Sequence, residues 1–569
     1  LSRRAQAISR GFRIRFAVCA AALAVCALIL AGRAVQLQLL ESEFLESRAD
    51  AQQVLEARIV ARRGRILDRN GQPLAVSAPV DSFWVHPDSL EKLRPYLPRL
   101  AQVFGGTAGQ LAERIERARG REFVWLKRGL PPSRSQAVLD LKAPGLQLRR
   151  EYRRYYPAGE IAGHLVGFAG IDENGQEGLE LAFDSWLKGR DGRKQVVRDR
   201  LGRHVRDIAG ISPLERGRDL RLGLDLRIQY LAHSELKEAV GRHNARSGSI
   251  VMLDTQTGEV LAMVSQPSFN PNDRGRLQPG NYRNRAALDL FEPGSTIKPL
   301  VVAAALESGA WAPGEPIDTG PGHIRVGSKI IRDRTPLGVI DFATLLRRSS
   351  QVGATTVAMK LQPHRFWETL SGVGFGRATE SGFPGEADGS LDNYKYWKPV
   401  DQAVMAYGYG LAVTALQLAR AYAVLATGGR TLPVSLIRTE DRPGGVRVLS
   451  AHTAAVMAEL LEQPLGPGGT ATAARVPGYR VAGKTGTTEK LGPEGYDSER
   501  HTALFVGFAP ASRPRVVAVV VIDDPSANGY FGGQVAAPVF SRVAAGALRL
   551  VGAPMDDVPQ ADRTLVAAR

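Results

Sequence analysis

Apolar residues recur along this chain in a few distinct rhythms, and each rhythm predicts an element. An apolar run extends from Phe16 to Gly32, and Ala34-Val35 and Leu37 to Leu40 prolong it beyond Arg33. A bilayer-spanning helix needs about 20 such residues, and an arginine at the end of the run can snorkel to the interface. Residues 16–38 are therefore predicted to form a transmembrane helix after a short basic tail, 1–15. Residues 39–57 are polar with helical spacing and predict a stalk. Two strand-like runs then flank Asn70-Gly71, a tight-turn dipeptide, predicting a hairpin. Farther on, 249–254 and 259–265 are β-rich runs joined at Gln256-Thr257-Gly258. The runs 502–508 and 515–522 form a second such pair, and 479–487 is a fifth strand. Between these groups Leu300 to Ala310, Phe342 to Lys360 and Val413 to Thr427 carry helical spacing.

Strands grouped at both ends of a region, with helices between, predict an α+β domain: one five-stranded antiparallel sheet covered by helices. The rhythm changes near Arg218-Asp219-Leu220, which sets a boundary near residue 215. The expected organisation is a module at 39–215, a larger domain at 216–552 and a loose tail at 553–569.

Composition narrows the class. The chain has 569 residues, enough for two or three domains, and a formal net charge of +17. Such a charge raises nucleic acid as a partner, but no helix-turn-helix, zinc-ligand or aromatic–basic RNA pattern is present. An anionic membrane surface or cell-wall polymer is the better match. The only cysteines, Cys19 and Cys26, lie inside the apolar run, so there is no disulfide framework and no cysteine metal site. Nothing in the pattern calls for a cofactor. Arg3, Arg4, Arg10, Arg13 and Arg15 precede the run, which places the N-terminus in the cytoplasm and the bulk outside. Arg33 and the lack of a small-x-small cleavage pattern favour an uncleaved anchor over a signal peptide.

The candidate chemistry starts at Phe291-Glu292-Pro293-Gly294-Ser295-Thr296-Ile297-Lys298, a Pro-Gly turn running into the apolar helix. A serine hydroxyl is a weak nucleophile until a base takes its proton. A lysine three residues on shares its helix face and becomes that base if burial or another cation lowers its pKa. Ser-x-x-Lys alone says little: it recurs at Ser89/Lys92, Ser185/Lys188 and Ser234/Lys237, which read as ordinary solvated helix faces. Only Ser295 has a turn before it, an apolar helix after it and two companions downstream, Ser349-Ser350-Gln351 and Lys484-Thr485-Gly486-Thr487. In that order the three segments match the signature of penicillin-binding proteins and serine β-lactamases, with Gln351 where Asn is usual.

Upstream, Arg63-Gly64-Arg65 with Asp68-Arg69-Asn70-Gly71, then Arg154 to Gly159, His164 to Gly167 and Gly175 to Glu180, resemble the non-catalytic module of class B penicillin-binding proteins. The stretch from Arg154 to Ile208, with Tyr407-Gly408-Tyr409-Gly410 and Thr414-Ala415-Leu416-Gln417, looks most like the division-specific septal transpeptidase. The resemblance implies a membrane anchor, an elongated α/β pedestal of the dimerisation type and a serine β-lactamase-like catalytic domain. It implies a serine-type D-Ala-D-Ala transpeptidase that cross-links peptidoglycan stem peptides on lipid-linked precursor strands and is acylated by β-lactams. Ser295 would be the nucleophile and Lys298 the base. Ser349 would relay a proton, and Lys484 would supply charge for the substrate's terminal carboxylate. Thr485 and Thr487 would bind that carboxylate, Gly486 would let the substrate strand lie close, and Gln351 would contact the substrate amide. No metal or cofactor is implied. The implied partners are divisome membrane proteins, including a septal glycosyltransferase. The implied location is the inner membrane at the septum, with the catalytic domain periplasmic.

Three alternatives stay open: a hydrolase of the same fold, an inactive scaffold favoured by Gln351, and the elongation-specific paralogue. Glu177 and Glu180 could be read as an acid pair for glycosyl transfer. Arg63, Arg65, Arg69 and Arg154 are instead expected to pair with them in a structural ion network.

Overall fold

The computed structural model describes residues 2–40, 54–198, 204–276, 280–439, 444–493 and 495–557. The chain divides into two compact units, one of residues 1–62 and 189–217, the other of 63–188 and 218–569.

In the first unit a helix spans Ser2–Val35 and ends in a turn of π-helix, Gln36–Leu40. Arg13–Gln38 is long and apolar enough to cross a membrane. The unit also holds a three-stranded antiparallel sheet of Val54–Ile59, Gly192–Arg198 and His204–Ser212. Part of the predicted stalk is therefore a strand, because Val54 to Ile59 finds a partner edge far along the chain. Residues 41–53 of that stalk lie outside the described residues.

The second unit begins with a sheet in the order Leu220–Arg221, Ile66–Leu67, Pro73–Val85, Val124–Leu130, with Leu146–Tyr155 also paired to Pro73–Val85. The hairpin at Asn70-Gly71 is present. Asp68 shapes it by accepting from the backbone N–H groups of Asn70 and Gln72, both at 2.8 Å, and Gly71 turns the chain at φ +85°. The predicted ion network is smaller than expected. Buried Glu180 accepts from Arg63 at 2.7 Å and from Arg154 at 2.6 Å. Arg65 pairs with Asp219 and Arg69 with Glu259 instead. Glu177 sits at the start of the short helix carrying Glu180, and desolvation raises its pKa. Ile66, Leu74, Leu165 and Leu179 bury into the same apolar cluster as the core of the catalytic region.

In the catalytic region α1 (Leu226–Arg242) precedes the hairpin β1 (Ser247–Asp254) and β2 (Val260–Gln266). The helical lobe includes α2 (Lys298–Glu307), α3 (Phe342–Arg348), α4 (Gln351–Lys360) and α5 (Ala415–Ala426). Then follow β3 (Ala482–Gly492), β4 (Gly495–Ala509), β5 (Val516–Asp523) and α6 (Ala537–Leu550). The five strands form one antiparallel sheet in the order β2-β1-β5-β4-β3. Both faces are covered, which explains why β1 and β5 read as continuous apolar runs. Val251 and Leu253 pack toward the helical lobe, while Ile250 and Met252 pack against α1 and α6 on the other side.

Three local expectations change. The strand predicted at 479–487 begins at Ala482, because Val476 and Tyr479 close a turn before it, and it continues to Gly492. The helix predicted from Phe342 to Lys360 is two helices broken at Ser349. The start of the predicted loose tail is tied down: Ala553 O accepts from Tyr479 OH at 3.0 Å and Asp556 accepts from Arg480 N at 2.7 Å. Residues 558–569 lie outside the described residues.

Candidate active site

Ser295 stands on a turn of 3₁₀-helix, Gly294–Ile297, that feeds directly into α2. The turn is held from three sides. Tyr422, buried on α5, donates to Thr296 O at 2.8 Å from below. Gly294 N donates to Gly408 O at 3.1 Å, and a side chain at Gly408 would strike Gly294 O at 2.0 Å. The Tyr-Gly-Tyr-Gly motif is thus a seat for the serine's turn. On the third side lies Gly486, whose added Cβ would meet Thr296 Cγ2 at 3.0 Å and Pro293 O at 3.1 Å. The glycine thus allows the close approach of the Ser295 turn.

Lys298 is fully buried one turn into the same segment. Its ammonium donates to Ser349 O at 2.5 Å and Ser349 Oγ at 3.2 Å. Lys484, on β3 and also fully buried, donates to the same Oγ at 3.0 Å. Burial and then the neighbouring Lys484 ammonium hold the Lys298 pKa well below the ordinary lysine value, with Asp333 opposing. Burial lowers Lys484 to about 7. Two buried ammonium groups therefore share one hydroxyl, an arrangement that favours at most one proton charge between them.

Ser349 receives both lysines because of its backbone. It ends α3 in the left-handed region, φ 58° and ψ 42°, where a non-glycine residue stores strain. That conformation turns its carbonyl and hydroxyl toward Lys298. The next residue, Ser350, caps α4, its Oγ accepting from Gly353 N at 2.8 Å. Asp333 completes the cap: it accepts from Ser350 Oγ and Gln351 N, each at 2.5 Å, and from Val352 N at 3.1 Å. A carboxylate at a helix N-terminus satisfies orphan donors and opposes the positive dipole end.

One cavity of about 580 Å³ gathers Ser295, Ser349, Gln351, Thr485, Gly486 and Thr487. Lys298 and Lys484 reach it through Ser349. Thr485 Oγ1 donates to Thr470 Oγ1 at 2.9 Å, and Thr487 Oγ1 accepts from Gly532 N at 3.0 Å. All eight predicted site residues thus come together. Asp333, Thr470 and Tyr422 lie outside every predicted motif, because they act from loops or from across a core. The other serine–lysine pairs lie elsewhere in the chain: Ser185 and Lys188 on a short helix, Ser234 and Lys237 on α1. Among the described residues no three His, Cys, Asp or Glu side chains group to hold a metal.

Comparison with known proteins agrees with this geometry. Residues 248–545 match the penicillin binding protein transpeptidase domain, and residues 58–222 match the penicillin-binding protein dimerisation domain. The chain is 38% identical over 548 residues to the probable peptidoglycan D,D-transpeptidase PbpC of Pseudomonas aeruginosa, covering 96% of each. It is 37% identical over 554 residues to the peptidoglycan D,D-transpeptidase FtsI of Escherichia coli K12, covering 96% of this chain and 94% of that one. Among solved structures it is similar to the transpeptidase domain of penicillin-binding protein 3 from Burkholderia pseudomallei. There the identity is 40% and the TM-score 0.55, over 59% of this chain and 98% of that one. It is also similar to penicillin-binding protein 3 from Mycobacterium tuberculosis in complex with aztreonam, with 28% identity and TM-score 0.68 over 88% and 98%. The chain belongs to the class B penicillin-binding proteins. Within that class it is a serine-type peptidoglycan D,D-transpeptidase.

Proposed function

We propose that this transpeptidase cross-links stem peptides at the division septum through an acyl-enzyme on Ser295. The observation that carries the catalytic reading is the meeting of two buried lysines on Ser349 Oγ, beside the cavity that holds Ser295. Neutral Lys298 takes the Ser295 proton as Oγ attacks the carbonyl of the penultimate D-alanine. The developing oxyanion sits against the backbone N–H groups of Ser295 and Thr487. The C–N bond to the terminal D-alanine then breaks, and its nitrogen receives the proton from Lys298 through Ser349. An acceptor amine attacks the resulting ester, loses a proton to Lys298 and returns Ser295 to its hydroxyl form. Lys484, Thr485 and Thr487 hold the terminal carboxylate, Gln351 contacts the peptide amide, and Gly486 keeps the strand close to the nucleophile's turn. β-Lactams stop at the acyl stage.

The apolar helix serves as a single-pass anchor in the inner membrane, with residues 1–15 cytoplasmic, 16–38 spanning, and the pedestal at 39–215 and the catalytic domain at 216–552 periplasmic. The partners are divisome membrane proteins, including a septal glycosyltransferase. The septal assignment rests on the FtsI relative. Labelled penicillin should map to the Ser295 peptide, and Ser295→Ala should abolish labelling; label on the Ser89, Ser185 or Ser234 peptide overturns the assignment. A fluorescent fusion spread along the side wall and absent from the septum would favour elongation over division.

A further inference from the structure

Three arginines line the cavity that holds Ser295: Arg332, Arg334 and Arg348. The one carboxylate lining it, Asp333, is already committed to the donors of the first turn of α4. All three arginines are exposed, and among the described residues none is ion-paired to a carboxylate. Their positions follow from the site itself. Arg348 ends α3 immediately before Ser349. Arg332 ends the strand Lys329–Arg332, immediately before Asp333. The Arg334 guanidinium lies over the ring of Phe531, 4.3 Å from its centroid, on the cavity wall.

A chain of net charge +17 carries arginines on much of its surface, so a basic cavity could reflect composition alone. A second cavity, about 690 Å³, shows that composition does not make every cavity basic. It lies beside Phe291 and Glu292, and its four cationic side chains are matched by four acidic ones. Arg246 there pairs with Asp523 at 2.5 Å and Arg285 with Asp289 at 2.9 Å. A third cavity, lined by Arg114, Arg117 and Arg121 with Glu113 as its one carboxylate, also carries excess positive charge, so what sets the acyl cleft apart is that its three arginines line the same cavity as Ser295. The substrate's terminal carboxylate already has Lys484 and the two threonines. Planar guanidinium forks suit a further carboxylate.

We propose that Arg332, Arg334 and Arg348 form a subsite for a free carboxylate on the donor stem peptide, upstream of its D-alanyl-D-alanine end. The subsite makes the enzyme select peptides that are acidic there over amidated ones. This rests on the transpeptidase reading of the same cleft. The carboxylate has two possible sources, the second or the third residue of the stem, and the test separates them.

The full-length protein is labelled with penicillin at Ser295 in competition with synthetic pentapeptides ending in D-Ala-D-Ala. One peptide carries a free carboxylate at the second residue and one at the third, each paired with its carboxamide. At one position the carboxylate form should compete about tenfold better than its carboxamide, and the ratio should shrink at higher salt. In Arg332→Gln/Arg334→Gln/Arg348→Gln the ratio should fall to near one, and each single substitution should lower it in part. Because the readout is a ratio, a general loss of labelling does not imitate the effect, and the ratio in the parent needs no variant. Ratios near one in the parent at both positions, or a ratio that survives the triple substitution, overturn the subsite. A parent that shows the ratio but forms no cross-linked product with an acceptor amine overturns the transpeptidase reading and leaves the subsite standing.

Discussion

Asp333→Asn tests how the site is held rather than what reacts in it. In the parent, two carboxylate oxygens take Ser350 Oγ, Gln351 N and Val352 N at 2.5, 2.5 and 3.1 Å. Asparagine keeps one acceptor oxygen, turns an N–H₂ toward Ser350 Oγ and removes the anion from the start of α4. A hydrogen bond to a charged group contributes about 1.5–3 kcal/mol, and an anion at a helix N-terminus about 0.3–1 kcal/mol. Asp333 is half-buried, so the lower ends apply and the loss is about 2 kcal/mol. That is the size of the strain stored in a left-handed non-glycine residue, about 1–3 kcal/mol. With the cap weakened, Ser349 is free to relax and draw its Oγ away from Lys298 and Lys484. Acylation by labelled penicillin should slow about 30-fold, the equivalent of 2 kcal/mol, and the melting temperature should drop. The electrostatic effect has the opposite sign. Asp333 raises the Lys298 pKa against burial and Lys484, so its neutralisation leaves Lys298 even more often a free amine. The acid limb of the pH–rate profile should therefore move to lower pH while the plateau falls. A variant with the parent's rate and melting temperature would refute the cap argument. So would a slower variant whose acid limb moves to higher pH, because the loss would then lie in the base.

Three further outcomes are expected. The second-order rate of penicillin acylation should rise with pH on a limb far below lysine's usual range, as Lys298 loses its proton. It should fall again near pH 7, as Lys484 loses the charge that holds the carboxylate; a rising limb near pH 10 would mean that Lys298 is an ordinary lysine. Gln351→Asn should keep penicillin acylation within about tenfold of the parent, since both amides carry the same donors and acceptors, whereas Gln351→Ala should lose more; restoration of an inert parent by Gln351→Asn would support the scaffold alternative. Glu180→Gln should lower stability by about 3–5 kcal/mol in denaturant melts, because Arg154 would be left buried without its ion pair and Arg63 would keep only Asp184.

The sheet was legible because its strands are short apolar runs bounded by turn residues, and grouping at the two ends of the region admits few arrangements. The break at Ser349 was not legible. Apolar spacing continues through Phe342 to Lys360, and the signal for two helices is the pair of caps at Ser349 and Ser350. One of those caps is completed by Asp333, a residue from outside the segment. The strand at Val54 to Ile59 was hidden for a similar reason, since its partner Gly192–Arg198 lies well over a hundred residues away. Long-range pairing overrides local spacing wherever an edge is available. The Thr414 to Gln417 motif resembles that of the family, and its physical content is a capping box at the start of α5. Thr414 Oγ1 accepts from Gln417 N at 3.1 Å, and Gln417 Oε1 accepts from Thr414 N at 2.8 Å.

The site residues were legible by identity, while their roles in packing were not. Ser-x-x-Lys and Lys-Thr-Gly lie almost two hundred residues apart, and each alone is too short to be informative. In the fold they are one packed object. Gly486 admits Pro293 and Thr296 to within about 3 Å of where a side chain would begin, and Gly408 admits Gly294 more closely still. The strand that carries Lys484 and the turn that carries Ser295 are thus fixed against each other by glycines. Their lysines are joined through a third segment at Ser349 Oγ. A side chain at Gly486 would crowd Thr296 and Pro293 of the serine's turn. The three short motifs are therefore informative only together, because each supplies one face of a single contact and none of them folds into a site alone.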